Sequence, residues 1–335
     1  MRAKILITGA SGFIGSFLVD EALRRGCEVW AGIRATSSLA RLPQDRIHCI
    51  DLKYDDPQAL IEQLAAFRRE QGRWNYVIHN AGLTKAVHRS DFMRVNAEYT
   101  RRLVEALNKA DCRPKKIILM SSLSSYGGGD EITCKPICRD DAQHPETAYG
   151  ESKRMAEQYV SRQTAIPYVI LCPTGVYGPG EPDYRMEIQS IRRGFDFAVG
   201  RKPQHLSFIY VKDLAGLVFH ILAHTDGQNT RYLAADGHTY TDVEFARLIQ
   251  EIAGRKHVLR LRLPLWITCL FCLLSEAVGR LTGRAVTLNT DKYRILKQRN
   301  WTCDIEPLRR ELGFTPAYDL RRGLEETIRY ERENK

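Results

Sequence analysis

Tyr149 and Lys153 stand four residues apart in the segment ETAYGESKRMAEQ, which covers residues 146–158. If the segment is helical, the two side chains lie on one face, one turn apart. A free phenol loses its proton near pH ~10, and a neighbouring ammonium favours the phenolate. We therefore expect the pKa of Tyr149 to fall, so that the phenol can exchange a proton with an alcohol or a carbonyl. The alternative is an ordinary solvated helix that tolerates Gly150.

A serine-rich segment, MSSLSSYG at residues 120–127, closes the fifth apolar stretch that is typical of a strand. Ligands bind at the carboxyl ends of the strands in open parallel sheets. A serine at this position would reach toward a nicotinamide ring and hydrogen-bond the same substrate oxygen as Tyr149. The two segments together predict a hydroxyl, a phenol and an ammonium around one substrate oxygen, and Lys153 would also hold ribose hydroxyls. The positive charge of an oxidised nicotinamide would join the ammonium in lowering the pKa of Tyr149.

A glycine-rich loop, TGASGFIG at residues 8–15, follows the first predicted strand. Its G-x-x-G-x-x-G spacing is related to the dinucleotide fingerprint, in which glycines allow a tight turn, approach of the backbone to a pyrophosphate, and close packing of helix on strand. The helix that follows offers free N–H groups and a partial positive charge to phosphates. The cofactor contacts predicted here are Gly9, Ser11, Gly12, Phe13 and Ile14.

The end of the second predicted strand indicates which dinucleotide binds. NAD sites place an acidic residue about 20 residues after the loop, on the ribose 2′-hydroxyl. Here Ile33 and Arg34 occupy that place, and a guanidinium pairs with a 2′-phosphate. The sequence therefore favours NADP as cofactor, with NAD as the alternative, and Arg34 as a simple solvated loop residue is also open. Asp51 and Leu52, after the third strand, are expected to flank the adenine.

The elements that must position these groups alternate along the first half of the chain. Short apolar runs such as KILITG and YVIL are separated by amphipathic stretches of helix length. This rhythm is typical of a parallel sheet with helices on both faces. We predict an α/β fold, with a Rossmann-type doubly wound parallel sheet over residues 1–173 and about 205–225. A smaller mixed α/β C-terminal lobe over 174–204 and 226–335 is expected to bind substrate.

The bulk composition excludes several classes of protein. The 335 residues include 50 Lys and Arg against 40 Asp and Glu, a formal net charge of +10, which suits an anionic ligand. The basic residues are spread along the chain without a zinc-finger or RNA-binding signature, so we expect no nucleic-acid partner and no metal site. Nine cysteines without a scaffold spacing, and an N-terminus that enters a strand directly, favour reduced thiols and a cytoplasmic location.

The most apolar stretch is LPLWITCLFCLLSEAVGRL, residues 263–281. Its uninterrupted apolar part, residues 263–274, is shorter than the ~20 residues that a membrane span needs. We expect a helix that is buried against the cleft or docked on another subunit, with Cys269 and Cys272 as small apolar packing residues. Peripheral contact with a bilayer is the alternative.

Several motifs together resemble the extended (epimerase/dehydratase) branch of the short-chain dehydrogenase/reductase superfamily. They are TGASGFIG, HNAG, VNAEYT, MSSLSSYG, YGESK, PTGVYGPG and FIYVKDLA, in the family's order over the first two-thirds of the chain. The resemblance implies Ser122, Tyr149 and Lys153 as catalytic residues, with Ser121 and Ser124 as alternatives to Ser122. It also implies a homodimer formed through the helices at 88–110 and 146–165. The cofactor positions that it implies are Ala81, Gly82, Asn96, Tyr149, Lys153, Pro173 and Val176.

Departures from the family pattern bear on the substrate. The arginines that nucleotide-sugar members carry before F-x-Y-V-x-D and P-x-x-V-Y-G-P are replaced by Leu206–Ser207 and by Cys172. The C-terminal lobe resembles members similar to 3β-hydroxysteroid dehydrogenase and dihydroflavonol reductase. The resemblance therefore implies an oxidoreductase acting on a secondary alcohol or ketone of an apolar, steroid- or flavonoid-like substrate. Ser124 and Tyr177 are the candidate substrate contacts.

Two other functions stay open. One is a nucleotide-sugar epimerase or dehydratase with tightly bound NAD, which would need basic groups for a diphosphate. Those groups could come from Arg185, Arg192, Arg193 and Arg201. The other is a sensor that binds NAD(P) without turnover, against which an intact Ser122, Tyr149 and Lys153 set argues.

Overall fold

The computed structural model describes residues 2–224 and 229–334. Its strands are β1 (Lys4–Thr8), β2 (Glu28–Gly32), β3 (His48–Ile50), β4 (Tyr76–His79), β5 (Lys116–Met120), β6 (Tyr168–Pro173), β7 (Gly175–Tyr177), β8 (Phe195–Val199), β9 (His205–Leu206), β10 (Phe208–Tyr210), β11 (Thr230–Ala234), β12 (Tyr240–Thr241), β13 (Leu259–Leu263) and β14 (Asn300–Trp301). Its α-helices are α1 (Phe13–Arg24), α2 (Pro57–Gln71), α3 (Arg89–Phe92), α4 (Tyr99–Lys109), α5 (Ala148–Arg162), α6 (Pro182–Arg192), α7 (Val211–His224), α8 (Asp242–Ile252), α9 (Leu265–Thr282), α10 (Thr290–Lys297), α11 (Glu306–Leu312) and α12 (Leu320–Glu333).

Seven strands form one parallel sheet in the order β11-β6-β5-β4-β1-β2-β3. Successive strands run outward from β1 in one direction to β3, and then from β4 in the other direction. The order therefore reverses between β1 and β4, and a crevice opens at the carboxyl ends of strands on either side of such a point. The predicted doubly wound sheet is confirmed.

Burial on both faces explains the composition of these strands. Ile5, Leu6 and Ile7 of β1 are almost fully buried, as are Ile117 and Ile118 of β5. Helix α1 packs against α7, while α4 packs against α2 and α5. Continuous apolar runs are the pattern that a sheet covered on both faces requires, and the carboxyl edge is left as the place where polar side chains can gather.

A second core holds the smaller lobe together. It is centred on Phe208, Phe245 and Leu324, and it combines segments that are distant in sequence. Thr241 and Glu244 form a capping box at the start of α8. One boundary differs from the sequence prediction, which assigns β11 to the smaller lobe. Its pairing with β6 makes it the edge strand of the large sheet; the boundary itself, at 225–226, lies outside the described residues.

Helix α9 corrects a second expectation. The apolar stretch is helical, as predicted, but in this chain it is mostly exposed rather than buried against the cleft. Its buried residues are Thr268, Cys272 and Gly279, whereas Trp266 is 69% exposed and Leu281 is 87% exposed. Of the helices in the described ranges, it is the one whose length and composition would allow it to cross a membrane.

Candidate active site

The glycine-rich loop joins β1 to α1 and fits a pyrophosphate. Gly9 has a φ of +64°, and a Cβ added there would lie 2.8 Å from Cα of Ala81. A Cβ on Gly15 would lie 2.1 Å from the carbonyl oxygen of Gly9. Side chains at either position would fill the cradle that the backbone forms. Helix α1 starts after Gly12 with no side-chain cap and no acid in its first turn, so its N-terminal field faces the place of an anion.

Hydrogen bonds fix the loop after β4 against the glycine-rich loop. The buried Thr8 hydroxyl is 2.8 Å from Nδ1 of His79 and accepts the backbone N–H of Ala81 at 3.0 Å. His79 also contacts the Thr100 hydroxyl through Nε2, at 2.9 Å. Burial lowers the pKa of His79 to about 3, and the charge of Lys153 acts in the same direction. The imidazole is therefore neutral at physiological pH and serves as a rigid polar link.

Asn96 clamps the same loop to α5. It lies in a π-helical turn, Met93–Glu98, between α3 and α4. Its side-chain oxygen accepts the N–H of Leu83 at 2.7 Å, and its amide donates to the Leu83 carbonyl at 3.0 Å and to the Ser152 hydroxyl at 2.9 Å. A Cβ on Gly82 would lie 3.0 Å from Oδ1 of Asn96 and 3.2 Å from Nζ of Lys153. The loop therefore lies directly over the lysine.

The structure brings the three predicted catalytic side chains together. Ser122 follows β5 and caps a 3₁₀ turn by accepting the N–H of Ser124 at 3.2 Å, and it lies close enough to Tyr149 to lower the pKa of that phenol. Nζ of Lys153 donates to the carbonyl of Met120 at 2.9 Å and lies 5.9 Å from the centroid of the Tyr149 ring. The group stands at the carboxyl end of β5, on the edge that also carries the glycine-rich loop.

Close packing explains why a glycine follows Tyr149. Thr147 caps α5 by accepting the N–H of Gly150 at 2.9 Å. A Cβ on Gly150 would lie 2.2 Å from the carbonyl oxygen of Ser124. The first turn of α5 therefore presses against the turn that carries Ser122, and this contact sets the distance between the serine and the phenol. Ser124 itself is half-buried beside Ser122.

The pKa of Tyr149 differs from the sequence expectation. Burial raises the pKa of its phenol to about 12, although the hydrogen bond from Ser122 opposes that rise. Burial lowers the pKa of Lys153 to about 8, while the charge of Glu157 acts in the opposite direction. The protein without a cofactor does not show this fall, because Lys153 directs its ammonium to the Met120 carbonyl and desolvation of the phenolate is the larger effect. A fall in the presence of an oxidised nicotinamide stays a prediction.

A buried ion pair below Lys153 escaped the sequence reasoning. Glu157 is fully buried, and its carboxylate pairs with the Arg231 guanidinium of β11 at 2.8 Å. It also accepts from the amide of Gln143 at 2.8 Å and lies 3.6 Å from the sulfur of Cys172. The sequence does contain a signal for Glu157, since it lies four residues after Lys153 and therefore on the same face of α5.

The remaining predicted cofactor residues lie at the carboxyl edge. Arg34 is exposed on the loop after β2, where its N–H donates to the Ser37 hydroxyl at 3.1 Å. Asp51 pairs with Lys53 at 3.5 Å, and Leu52 is buried in the main core. Ser11 lies in the turn before α1, Phe13 and Ile14 begin that helix, Pro173 ends β6, and Val176 lies in β7.

Tyr177 does not line the cleft. Its side chain is 1% exposed in the second core, and its hydroxyl donates to the Asp319 carbonyl at 3.1 Å. The ring also lies against Gly323, where a Cβ would be 2.1 Å from its hydroxyl oxygen. The prediction of Tyr177 as a substrate contact is therefore corrected, because this residue joins α12 to the smaller lobe.

Comparison with known families shows to which family this fold belongs. A model of the NAD-dependent epimerase/dehydratase family matches residues 5–235. This chain belongs to that family. The match covers the large sheet from β1 to β11, with the glycine-rich loop, Asn96 and the Ser122, Tyr149 and Lys153 group inside it.

Family members with different substrates resemble the chain to a similar degree. UDP-glucose 4-epimerase of Vibrio cholerae is 26% identical over 343 residues, which cover 98% of this chain and 95% of the relative. A 3β-hydroxysteroid dehydrogenase/Δ5→4-isomerase of Mycobacterium tuberculosis is 25% identical, covering 98% and 90%. UDP-glucose 4-epimerase of Thermus thermophilus, solved in complex with NAD, shares the fold with a TM-score of 0.75 and 20% identity, covering 98% of this chain and 99% of that one. The family's members are enzymes, and the substrate differs among them.

Proposed function

We propose that this protein is an NADP-linked oxidoreductase that interconverts a secondary alcohol and a ketone on an apolar substrate. Ser122, Tyr149 and Lys153 are its catalytic residues. The observation that carries this proposal is that Ser122 and Tyr149 stand together at the carboxyl end of β5, beside the glycine-rich loop and one helical turn from Lys153, whose Nζ lies 5.9 Å from the centroid of the Tyr149 ring. Hydroxyl, phenol and ammonium are the groups that proton transfer at a substrate oxygen requires.

The chain's own residues handle the proton. A bound nicotinamide cofactor supplies the donor or acceptor of hydride. Because the pKa of Tyr149 is raised to about 12, its phenol is protonated at neutral pH and poised to donate to a carbonyl oxygen. Ser122 hydrogen-bonds the same oxygen and stabilises the charge that develops there. The protein alone is therefore set for ketone reduction; alcohol oxidation requires a lower phenol pKa, which added positive charge beside Tyr149 would provide.

Lys153 supports this chemistry from below. An ammonium carries three N–H donors, and the Met120 carbonyl uses one of them. The other two are available to the phenol and to ribose hydroxyls. With a pKa of about 8, the side chain is mainly charged at pH 7 and loses that charge in mildly alkaline solution.

Arg34 supports NADP as the cofactor. It is exposed at the carboxyl end of β2, the strand that neighbours β1 in the sheet. The position at which NAD sites place an acid is occupied by Ile33. A 2′-phosphate would meet a guanidinium there and no like charge.

The apolar substrate is supported by the absence of guanidinium groups where nucleotide-sugar members carry them. Ser207 is buried, and its hydroxyl donates to the His238 carbonyl at 3.2 Å. Cys172 is buried against Glu157. Among the arginines considered for a diphosphate, Arg185 pairs with Glu331 at 2.8 Å.

A nucleotide-sugar epimerase is the second candidate, and one cluster favours it. Lys85, on the loop after β4, and Lys292, on α10, both approach Asp183, at 2.6 Å and 3.6 Å. Two cations gathered between the sheet and the smaller lobe could bind a diphosphate. The epimerase relatives carry that activity in the same family.

A substrate panel separates the two candidates. Purified protein is mixed with NADPH or NADH and with steroid ketones, flavonoid ketones or UDP-sugars, while absorbance of the reduced cofactor is followed. We expect exchangeable NADPH to be oxidised by an apolar ketone. Nicotinamide that remains bound through purification, together with interconversion of UDP-sugars and no net cofactor change, would replace the proposal by the epimerase.

A further inference from the structure

An exposed apolar surface covers α9 and the two-stranded sheet formed by β8 and β13. Representative members are Phe197 (56% exposed), Leu259 (55%), Trp266 (69%), Phe271 (57%) and Leu274 (56%). We call the exposed apolar side chains of β8, β13 and α9 the apolar surface. Pro264 alone joins β13 to α9, so the two exposed elements are neighbours along the chain. Exposed apolar side chains in such numbers mark an interaction site in a folded protein.

The sheet presents its apolar side to the outside. Phe195 pairs with Leu259, and Phe197 pairs with Leu261, so that four exposed apolar side chains share one face. The opposite face carries Asp196, which is 8% exposed and lies 3.6 Å from the Arg260 guanidinium. In β8 the apolar side is therefore the exposed side and Asp196 is inside, whereas in β13 Arg260 and Arg262 are exposed together with Leu259 and Leu261.

Helix α9 is fastened to the body along one narrow seam. Thr268, Cys272 and Gly279 face inward, and the Glu276 carboxylate accepts the N–H of Thr290 at 2.9 Å. A spanning orientation would break this bond and detach α10. The helix is therefore held along the body of the protein, with its apolar side exposed.

The flanks of the apolar surface are basic. Segments 192–202 and 254–263 contain eight Lys or Arg residues and one acid, Asp196, which is buried. Arg193 and Arg201 stand on either side of β8, and Arg255 and Lys256 precede β13; all four are exposed. Apolar side chains bordered by cations match the boundary between acyl chains and anionic headgroups.

We propose that the apolar surface docks in the plane of an anionic membrane leaflet, with α9 and the β8–β13 sheet inserted below the headgroups. A second copy of the chain fits less well, because a two-fold contact places the same patch on both sides and would bring the basic flanks together. In a membrane, the acyl chains would cover the apolar centre, and the anionic headgroups would pair with the positive border.

Docking would bring the membrane close to the catalytic cleft. Residues Glu276, Gly279 and Arg280 of α9 line a cavity together with Phe92. The Phe92 ring centroid lies 6.1 Å from that of Tyr149. If the proposed function holds, an apolar alcohol or ketone dissolved in the leaflet would enter beside α9. The docking itself does not depend on that function.

Vesicle flotation tests the docking. Full-length protein is mixed with vesicles of phosphatidylcholine and phosphatidylglycerol, or of phosphatidylcholine alone, at low and high salt. We expect flotation with the anionic vesicles, weakened by salt, and a blue shift of the intrinsic fluorescence, to which Trp266 contributes as one of four tryptophans. The proposal would be overturned if the folded protein remained at the bottom of the flotation gradient when mixed with anionic vesicles at low salt.

Variants locate the contact. The double variant Trp266→Glu/Phe271→Glu should abolish flotation, and Arg255→Gln/Lys256→Gln should weaken partitioning by about ten-fold or more. Ile132→Glu is the matched control, because Ile132 is 92% exposed elsewhere on the chain, and its flotation should equal that of the parent. Parental flotation of the double variant would contradict the proposal.

Two further measurements distinguish membrane docking from catalysis and from self-association. Turnover of a water-soluble ketone by Trp266→Glu/Phe271→Glu should equal that of the parent, so that a failed function and a failed docking are distinguishable. Sedimentation velocity gives the subunit number. If the parent does not bind vesicles, and if it is a dimer that becomes a monomer in the double variant, the apolar surface would be assigned to a second copy instead.

Discussion

The carboxyl edge of the large sheet and the apolar surface around α9 differ in what surrounds their side chains. At the sheet edge, Asn96, Tyr149 and Lys153 each contact partners within the chain. On α9, by contrast, Trp266 and Phe271 are more than half exposed. The side chains of the first region therefore have partners inside the chain, and only cofactor and substrate remain to be bound there. The apolar side chains of the second region would be covered only by a partner outside the chain. Predictions about the first region therefore concern chemistry and stability, and those about the second concern binding.

Tyr149→Phe should produce the largest effect in the enclosed region. Loss of the phenolic proton donor should reduce kcat by about 10³-fold, within the range typical of general acids. NADPH affinity should stay within a few-fold of the parent, since the ring is kept. Steady-state kinetics and a fluorescence titration with NADPH measure the two quantities. Tyr159→Phe, in the same helix, is the control, and activity of Tyr149→Phe near that of the control would reject the mechanism.

Glu157→Gln should destabilise the fold by about 1–3 kcal/mol, because it leaves the partly buried Arg231 guanidinium beside a neutral amide. Urea unfolding gives the free energy. The double variant Glu157→Gln/Arg231→Met should recover part of the loss. If the single variant is as stable as the parent, the ion pair carries no structural role.

Two glycines give opposite outcomes for the same substitution. In Gly15→Ala, the new Cβ would lie 2.1 Å from the Gly9 carbonyl oxygen, so we expect a loss of about 1–3 kcal/mol in stability and weaker NADPH binding. Gly216→Ala, in α7, meets no atom within 4 Å and should gain about 0.5–1 kcal/mol. Thermal unfolding checks both. Equal effects would mean that the glycine-rich loop is not closely packed.

Arg34→Ala should change cofactor preference rather than turnover. Removal of a charged partner of the 2′-phosphate should raise the KM for NADPH by about ten-fold or more, while the KM for NADH should be unaffected. Kinetics with both cofactors, at a fixed ketone concentration, provide the measurement. An identical change for the two cofactors would remove Arg34 from the 2′-phosphate site.

The pH profile should show the smallest effect. The pKa of Lys153 is lowered to about 8, so its ammonium is present below that pH and is lost above it. The value of kcat/KM for ketone reduction should therefore decline as pH rises through about 8. Glu157 raises the pKa of Lys153, so Glu157→Gln should move the decline to lower pH. A flat profile from neutral to alkaline pH would exclude a role for this ammonium in the rate.

The sheet and the catalytic group could be predicted because their signals are local. The apolar runs of β1, β4 and β5, the spacing of Gly9, Gly12 and Gly15, and the four-residue interval from Tyr149 to Lys153 all follow from short-range geometry. Each of these features depends on a period or a turn that the chain fixes within a few residues.

Other features depend on contacts between distant segments. Arg231 reaches Glu157 only because β11 pairs with β6. The position of Tyr177 depends on α12, more than a hundred residues later in the chain. The raised pKa of Tyr149 reflects burial, which spacing does not reveal. The exposure of α9 escaped prediction for a further reason. An apolar sequence indicates that a helix is excluded from water, but it does not indicate whether the same chain or another partner covers the helix.

The most direct test of the proposed hydride transfer follows an isotope. Protein is incubated with NADPH that carries deuterium at the transferable position of the nicotinamide and with an apolar ketone that it reduces, and the product is examined by mass spectrometry. We predict deuterium on the carbinol carbon of the product and release of an equal amount of NADP⁺. The proposed transfer would be contradicted if deuterium never left a protein-bound cofactor while a UDP-sugar was interconverted with its epimer.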